Sequence, residues 1–165
     1  MDVALHLMVQ DLLARYVQAV DDDRLEAWPD FFVEDGRYRI TTADNFRRDL
    51  PLSLIYATSR AMLRDRVRAL RQANIYESQR YRHIIGAPVI EAGSDVGTGS
   101  RVHHVRAHTS FLVVRIMHGG ETVIFASGVY ADQIILDAGT GTARFSEKVV
   151  ILDSRQIDTL LALPL

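Results

Sequence analysis

The run Phe111-Leu112-Val113-Val114-Arg115-Ile116-Met117, the turn His118-Gly119-Gly120-Glu121 and the run Thr122-Val123-Ile124-Phe125-Ala126-Ser127-Gly128-Val129-Tyr130 decide the fold. Both runs are apolar and rich in β-branched residues, which pack well on a pleated surface. Gly119-Gly120 accepts the positive φ that a two-residue hairpin demands. A second turn, Asp137-Ala138-Gly139-Thr140-Gly141, sends the chain back along Arg144 to Leu152. The span from Arg101 to Asp153 therefore reads as an up-and-down meander of long strands. Such strands do not stay flat in a small sheet, so curvature is expected. Gly128, inside the second strand, marks a bend or bulge. A curved sheet has a concave face, and only the first half of the chain carries helices to fill it.

Leu5, Met8, Leu12, Tyr16 and Val20 recur every three or four positions, flanked by Val9 and Leu13, and predict a helix from Val3 to Val20. Asp21-Asp22-Asp23 follows. A carboxylate triplet can hold a metal, but helix exit fits better, with Asp22 or Asp23 capping a short helix from Arg24 to about Asp30. Leu25, Trp28 and Phe31-Phe32 are its buried side. Glu34-Asp35-Gly36-Arg37-Tyr38-Arg39-Ile40 reads as a turn into a first strand. Thr41 to Pro51 reads as a loop, and Leu52 to Ala57 as a short strand. A third helix, capped by Thr58 or Ser59, runs to about Ala73 with Met62, Leu63, Val67 and Leu70 inward. Arg60, Arg64, Arg66, Arg68 and Arg71 cover the rest of it. They read as a solvated face or a protein contact rather than a polyanion site, because the chain as a whole is acidic. Glu91 to Ser100, with Gly93, Gly97 and Gly99, is a loop inside the sheet. Helices packed on a strongly curved antiparallel or mixed sheet make an α+β cone that leaves a pocket.

At 165 residues the chain is expected to be one domain spanning 1–165. A net charge of −2 argues against nucleic acid or an anionic membrane as the main partner. No apolar run approaches the roughly 20 residues of a membrane span, and the N-terminus lacks the order of a signal peptide. The absence of cysteine excludes disulfides and thiolate metal sites and fits the cytoplasm.

Five stretches carry a family resemblance. They are Asp21-Asp22-Asp23-Arg24 leading to Trp28 and Phe31-Phe32; Glu34-Asp35-Gly36-Arg37-Tyr38; Arg80-Tyr81-Arg82-His83; Ala126-Ser127-Gly128-Val129-Tyr130; and Leu152-Asp153-Ser154 with Asp158-Thr159-Leu160-Leu161-Ala162-Leu163-Pro164-Leu165. In order and spacing the chain resembles the small (β) subunit of bacterial aromatic-ring-hydroxylating dioxygenases, the Rieske non-haem iron oxygenases. Ala73 to Ile84 and the closing Leu-Pro-Leu are most similar to the types acting on aromatic carboxylates: terephthalate, anthranilate, salicylate or benzoate. The resemblance implies a cone of the NTF2-like (cystatin-like) class. It implies assembly with a larger α subunit, commonly as α3β3, and self-association as a trimer. The α subunit would hold the Rieske 2Fe-2S cluster and the mononuclear iron; the β subunit would be chiefly structural, keeping the α subunits in register for electron transfer.

The residues agree with that division. Cluster ligation needs cysteine, with two histidines in the Rieske variant, and a non-haem iron site needs two histidines and a carboxylate at one point. His104 and His108 lie on a strand or loop, where four residues span about 13 Å, so they read as a strand edge facing a partner. No residue of this chain is expected to be catalytic or to bind a cofactor or metal. Arg80 and Arg82 share one face of a strand, and Tyr81 and His83 the other. The arginine pair suits a carboxylate or a subunit boundary; the boundary is preferred because arginine and tyrosine are enriched at interfaces. Ile157, Leu160, Leu161, Leu163 and Leu165 cover the core or pack on a neighbour. Arg80, Tyr81, Arg82, His104, His108, Leu163 and Leu165 are thus the interface candidates. Two rivals remain. One is a stand-alone cone enzyme doing acid–base chemistry, with Asp35, Tyr38, His83 and Tyr130 as its pocket and His83 as the base. The other is a non-catalytic ligand-binding module using the same pocket.

Overall fold

The computed structural model describes residues 3–73, 77–93, 99–156 and 161–165. Helix α1 (Val3–Asp21) is followed by a short 3-10 helix (Leu25–Phe31), strand β1 (Phe32–Thr42), helix α2 (Ala43–Arg47), strand β2 (Ile55–Ala57) and helix α3 (Arg60–Gln72). Strands β3 (Gln79–Ile85), β4 (Val89–Ala92), β5 (Val102–Met117), β6 (Thr122–Asp137) and β7 (Thr142–Leu152) complete the regular elements among the described residues. The sheet order is β2-β1-β7-β6-β5-β3, with β4 also paired to β5. β1 runs parallel to β7, while β2–β1, β3–β5, β4–β5, β5–β6 and β6–β7 are antiparallel. The meander expected from the sequence is therefore present, extended by a parallel strand from the first half of the chain.

β5 and β6 are each 16 residues long, well beyond the apolar runs that announced them. The extra length is amphipathic: His103, Val105, Ala107 and Thr109 point inward, while His104, Arg106, His108 and Ser110 alternate outward. At about 3.4 Å per residue such a ladder outruns the core it covers, so it bends at bulges. Phe125 is the unpaired residue between Val113–Ala126 and Val114–Ile124, and Ser146 the one between Gln133–Glu147 and Ile134–Phe145. At Gly128 the ladder continues without a break, opposite Phe111 and Leu152. A Cβ there would lie 1.9 Å from the Ile151 carbonyl oxygen. Gly128 thus serves close strand approach, and of the bend or bulge expected there the bulge is not found. Gly120 and Gly141 take φ of 91° and 67° in the two turns, the left-handed conformation that favours glycine.

α1 lays Leu5, Val9, Leu12, Leu13, Tyr16 and Val20 on the concave face. α3 buries Leu63, Val67 and Leu70 and is capped by Ser59, whose hydroxyl accepts from the Met62 N–H. Met62, expected inward, is exposed. The arginines of α3 turn back onto their own chain: Arg71 holds Asp23 and Glu26, Arg60 reaches Glu34, Arg64 faces Asp30 and Arg68 meets Asp65. This ties up Asp23, which sits at φ 56° and caps nothing. The 3-10 helix has Arg24 at its N-cap and no side-chain cap, so neither Asp22 nor Asp23 plays the expected part. The supposed loop after Thr41 contains α2, capped by Thr42. Of the supposed Glu91 to Ser100 loop, Glu91 and Ala92 belong to β4; Gly97 lies outside the described residues. Among the described residues no helix is long and apolar enough to cross a membrane.

Candidate functional site

Among the described residues, polar groupings are set between the aromatic rings of the cone interior, and three of them bear on the site. The deepest is an ion pair. Asp132 on β6 and Lys148 on β7 face each other in the ladder, and neither side chain has any exposure. The Lys148 ammonium lies 3.3 Å from both Asp132 carboxylate oxygens. It stands 3.5 Å from the Tyr130 ring centre, 4.6 Å from that of Tyr16 and 4.8 Å from that of Phe145. An ammonium caged by ring faces recovers part of its lost hydration. Burial still dominates: it lowers the Lys148 pKa and raises that of Asp132 to about 6, each partly offset by the other's charge.

The second grouping joins α1 to the sheet edge. Asp21, the last residue of α1, accepts from the backbone N–H of His83 at 2.9 Å and meets the His83 ring Nδ1 at 2.6 Å. Arg82 reaches the same carboxylate at 3.6 Å. β3 ends the sheet, so the His83 N–H points away from any neighbouring strand. Asp21 satisfies that donor and blunts the edge.

The third grouping seals the cone. The Tyr16 hydroxyl accepts from Trp28 Nε1 at 3.2 Å and donates to the Leu165 carbonyl at 2.8 Å. The Tyr38 hydroxyl donates to the same carbonyl at 3.2 Å and accepts from the Leu165 N–H at 3.0 Å. Arg66 donates to the Leu161 carbonyl at 3.3 Å. Burial raises the pKa of both tyrosines, which keeps them as O–H donors. Tyr130 stacks on Phe111 at 4.3 Å, and its hydroxyl, with Thr109 Oγ1 and His83 Nε2, is buried with no hydrogen-bond partner among the described residues.

Of the four pocket residues read from the sequence, Tyr38, His83 and Tyr130 converge on this interior and Asp35 does not. Asp35 is exposed. The β1–β7 register breaks between Phe32 and Arg37, and Gly36 packs so tightly on Val33 that a Cβ would come within 2.8 Å of its carbonyl. Glu34 and Asp35 are thereby pushed out of the ladder, and His83 takes Asp21 instead. Among the interface candidates, Arg80, Arg82, His104 and His108 are exposed on the outer face. Tyr81, Leu163 and Leu165 are not surface groups: all three are buried in the chain's own core. Tyr81 is turned inward by strand alternation and stacks on the bulged Phe125 at 5.1 Å. His104 lines an outer cleft of about 610 Å³ with Glu91, Arg106 and Gln133.

Asp132 and Lys148 were missed by sequence reasoning. Strict alternation from Phe145 points Lys148 outward; the Ser146 bulge shifts the parity and turns it in. The available signal was an acid inside β6 and a base at the head of the apolar run Val149 to Leu152 of β7. The interior does not suit iron or a Rieske cluster. The chain has no cysteine, and among the described residues no three of His, Asp and Glu converge in a way that could hold a metal ion. What the arrangement holds instead is tyrosine hydroxyls bonded to Leu165 and a buried ammonium among aromatic rings.

The SnoaL-like domain model matches residues 2–144. The chain is 46% identical over 153 residues to the terephthalate 1,2-dioxygenase terminal oxygenase component subunit beta 1 of Comamonas sp, covering 92% of this chain and 93% of that one. It is 36% identical over 151 residues to the anthranilate 1,2-dioxygenase small subunit of Burkholderia cepacia, covering 92% of this chain and 88% of the other. In structure it is similar to the assigned beta subunit of an aromatic-ring-hydroxylating dioxygenase from Novosphingobium aromaticivorans. The TM-score is 0.82 at 37% identity, covering 98% of this chain and 97% of that one. A SnoaL-like, NTF2-like cone with this degree of identity along nearly its whole length belongs to the family of aromatic-ring-hydroxylating dioxygenase beta subunits.

Proposed function

We propose that this chain is the structural β subunit of a ring-hydroxylating oxygenase acting on an aromatic carboxylate, and that it assembles with a Rieske-type α subunit as α3β3. The observation that carries the reading is the 46% identity to a terephthalate dioxygenase beta subunit, spread over 92% of the chain. The site chemistry agrees. Iron ligands are not gathered in the described interior, while the exposed outer face carries Arg80, Arg82, His104 and His108 for a partner. Both iron centres belong to the α subunit. This chain contributes interface geometry, and through it the register between a cluster in one α subunit and the iron of its neighbour. Coexpression of the chain with the Rieske α subunit tests the proposal. A joint complex should purify, and only the complex should dihydroxylate the aromatic acid.

The Asp21–His83 contact favours a second reading, acid–base catalysis within this chain. Against it, the His83 side chain is wholly sealed from solvent, so a substrate reaches Nε2 only if the interior opens. His83→Ala separates the readings. On the structural reading it changes stability and assembly together. On the catalytic reading it abolishes turnover by an assembled, folded protein.

A further inference from the structure

The segment Leu161–Leu165 occupies the cone as a ligand would. Leu165 is fully buried, and two tyrosine hydroxyls from different elements, Tyr16 of α1 and Tyr38 of β1, donate to the same Leu165 backbone oxygen. The rings around that oxygen present edges and faces: Tyr38 meets Trp28 at 5.0 Å and Tyr16 meets Phe145 at 5.5 Å, both edge-on. Positive charge is close at hand. Arg66 holds the Leu161 carbonyl, and the Lys148 ammonium lies over the Tyr16 ring. Beside the segment, an open cleft of about 620 Å³ is lined by Leu163, Asp21, Arg80 and Tyr81. The other carboxylates of that cleft, Asp22 and Asp23, face Arg24 and Arg71.

We propose that Leu161–Leu165 is a displaceable plug, and that the chamber it fills binds a small aromatic carboxylate entering through the Leu163 cleft. The carboxylate takes the place of the Leu165 acyl oxygen between the Tyr16 and Tyr38 hydroxyls, with Arg66 freed from the Leu161 carbonyl to face it. The aromatic ring takes the volume of the leucine side chains. Ligand and plug compete for the same donors, so binding opens the segment. The inference goes beyond the assembly role and does not rest on it, because it concerns the lone chain.

Hydrogen exchange of the full chain, with and without benzoate or terephthalate, tests it. A ligand that binds only the open form multiplies the open population by 1 + [L]/Kd. Amide exchange in 161–165 should then rise about tenfold when the ligand stands at ten times its open-form dissociation constant. Tyr38→Phe, which removes a donor to both plug and ligand, should weaken benzoate binding to the open form about tenfold. Leu163→Ala loosens the plug and should raise apparent affinity in proportion to the open fraction. Binding without faster exchange of 161–165 places the ligand elsewhere and overturns the proposal. So does a lack of binding by the unmodified chain and by folded Leu163→Ala alike. Should Leu163→Ala not fold, exchange in the unmodified chain decides alone. Copurification with an α subunit does not bear on this result, so the two proposals fail separately.

Discussion

Replacing Lys148 by Met removes the ammonium paired with Asp132 and leaves the anion in place. With the ammonium 3.3 Å from both Asp132 oxygens, the attraction is about 5 kcal/mol at an effective dielectric constant near 20. Breaking such a buried pair on one side typically costs about 3–5 kcal/mol, because the surviving charge is left in a low dielectric. Asp132 has an escape: its pKa already stands near 6, and loss of the cation pushes it higher, so the carboxyl protonates. The sign with pH follows. A carboxyl whose folded pKa is raised contributes most at low pH and loses its contribution as pH climbs through the folded value. The variant's deficit should therefore be largest at pH 8, about 3–5 kcal/mol, and smaller at pH 5, where Asp132 is neutral in both proteins and Lys148 in the parent has no anion. Adding Asp132→Leu should restore stability to the parent level or raise it by about 1–4 kcal/mol, since apolar residues replace both charges. Urea unfolding of the parent, the two single variants and the double variant at both pH values measures each term. A single variant as stable as the parent at pH 8, or a double variant no better than the single, would refute the reasoning.

Gly128→Ala places a Cβ 1.9 Å from the Ile151 carbonyl; β6 and β7 must part, and thermal unfolding should register a loss of about 3 kcal/mol. Asp21→Ala strands the His83 N–H and ring at a sheet edge and should cost about 3 kcal/mol, whereas Asp35→Ala should stay within about 0.5 kcal/mol. Chemical denaturation of the two side by side checks which carboxylate serves His83. Arg71→Ala removes a half-exposed contact with Asp23 and Glu26 and should cost no more than about 1 kcal/mol, diminishing with added salt.

Much of the cone was legible because its signals are local. Gly119-Gly120 and Asp137–Gly141 mark two turns, the apolar stripe of α1 marks a helix, and Ser59 sits where a cap belongs. The outer half of β5 was legible only as strand or loop, because His103 to Ser110 alternates polar and apolar without the apolar density that flags a strand. The parallel pairing of β1 with β7 joins residues a hundred positions apart, and no local pattern encodes it. Within the site, Tyr38, His83 and Tyr130 were reached by taking the cone as the pocket of an acid–base enzyme, with His83 as the group that titrates near neutrality. Asp21 was passed over since aspartate after a helix usually caps the next one. Lys148 was hidden by the Ser146 bulge, a one-residue shift that reverses which face every later side chain takes.

On the proposed function, this polypeptide shapes an oxygenase whose iron lies in a companion. Light scattering on a size-exclusion column, applied to a tagged copy coexpressed with the Rieske α subunit, measures it in one run. A single iron-coloured peak is expected, with the two chains in equal number and the mass of α3β3. A colourless peak of this chain alone, beside an α assembly that oxidises the aromatic acid at full rate without it, would overturn the assignment.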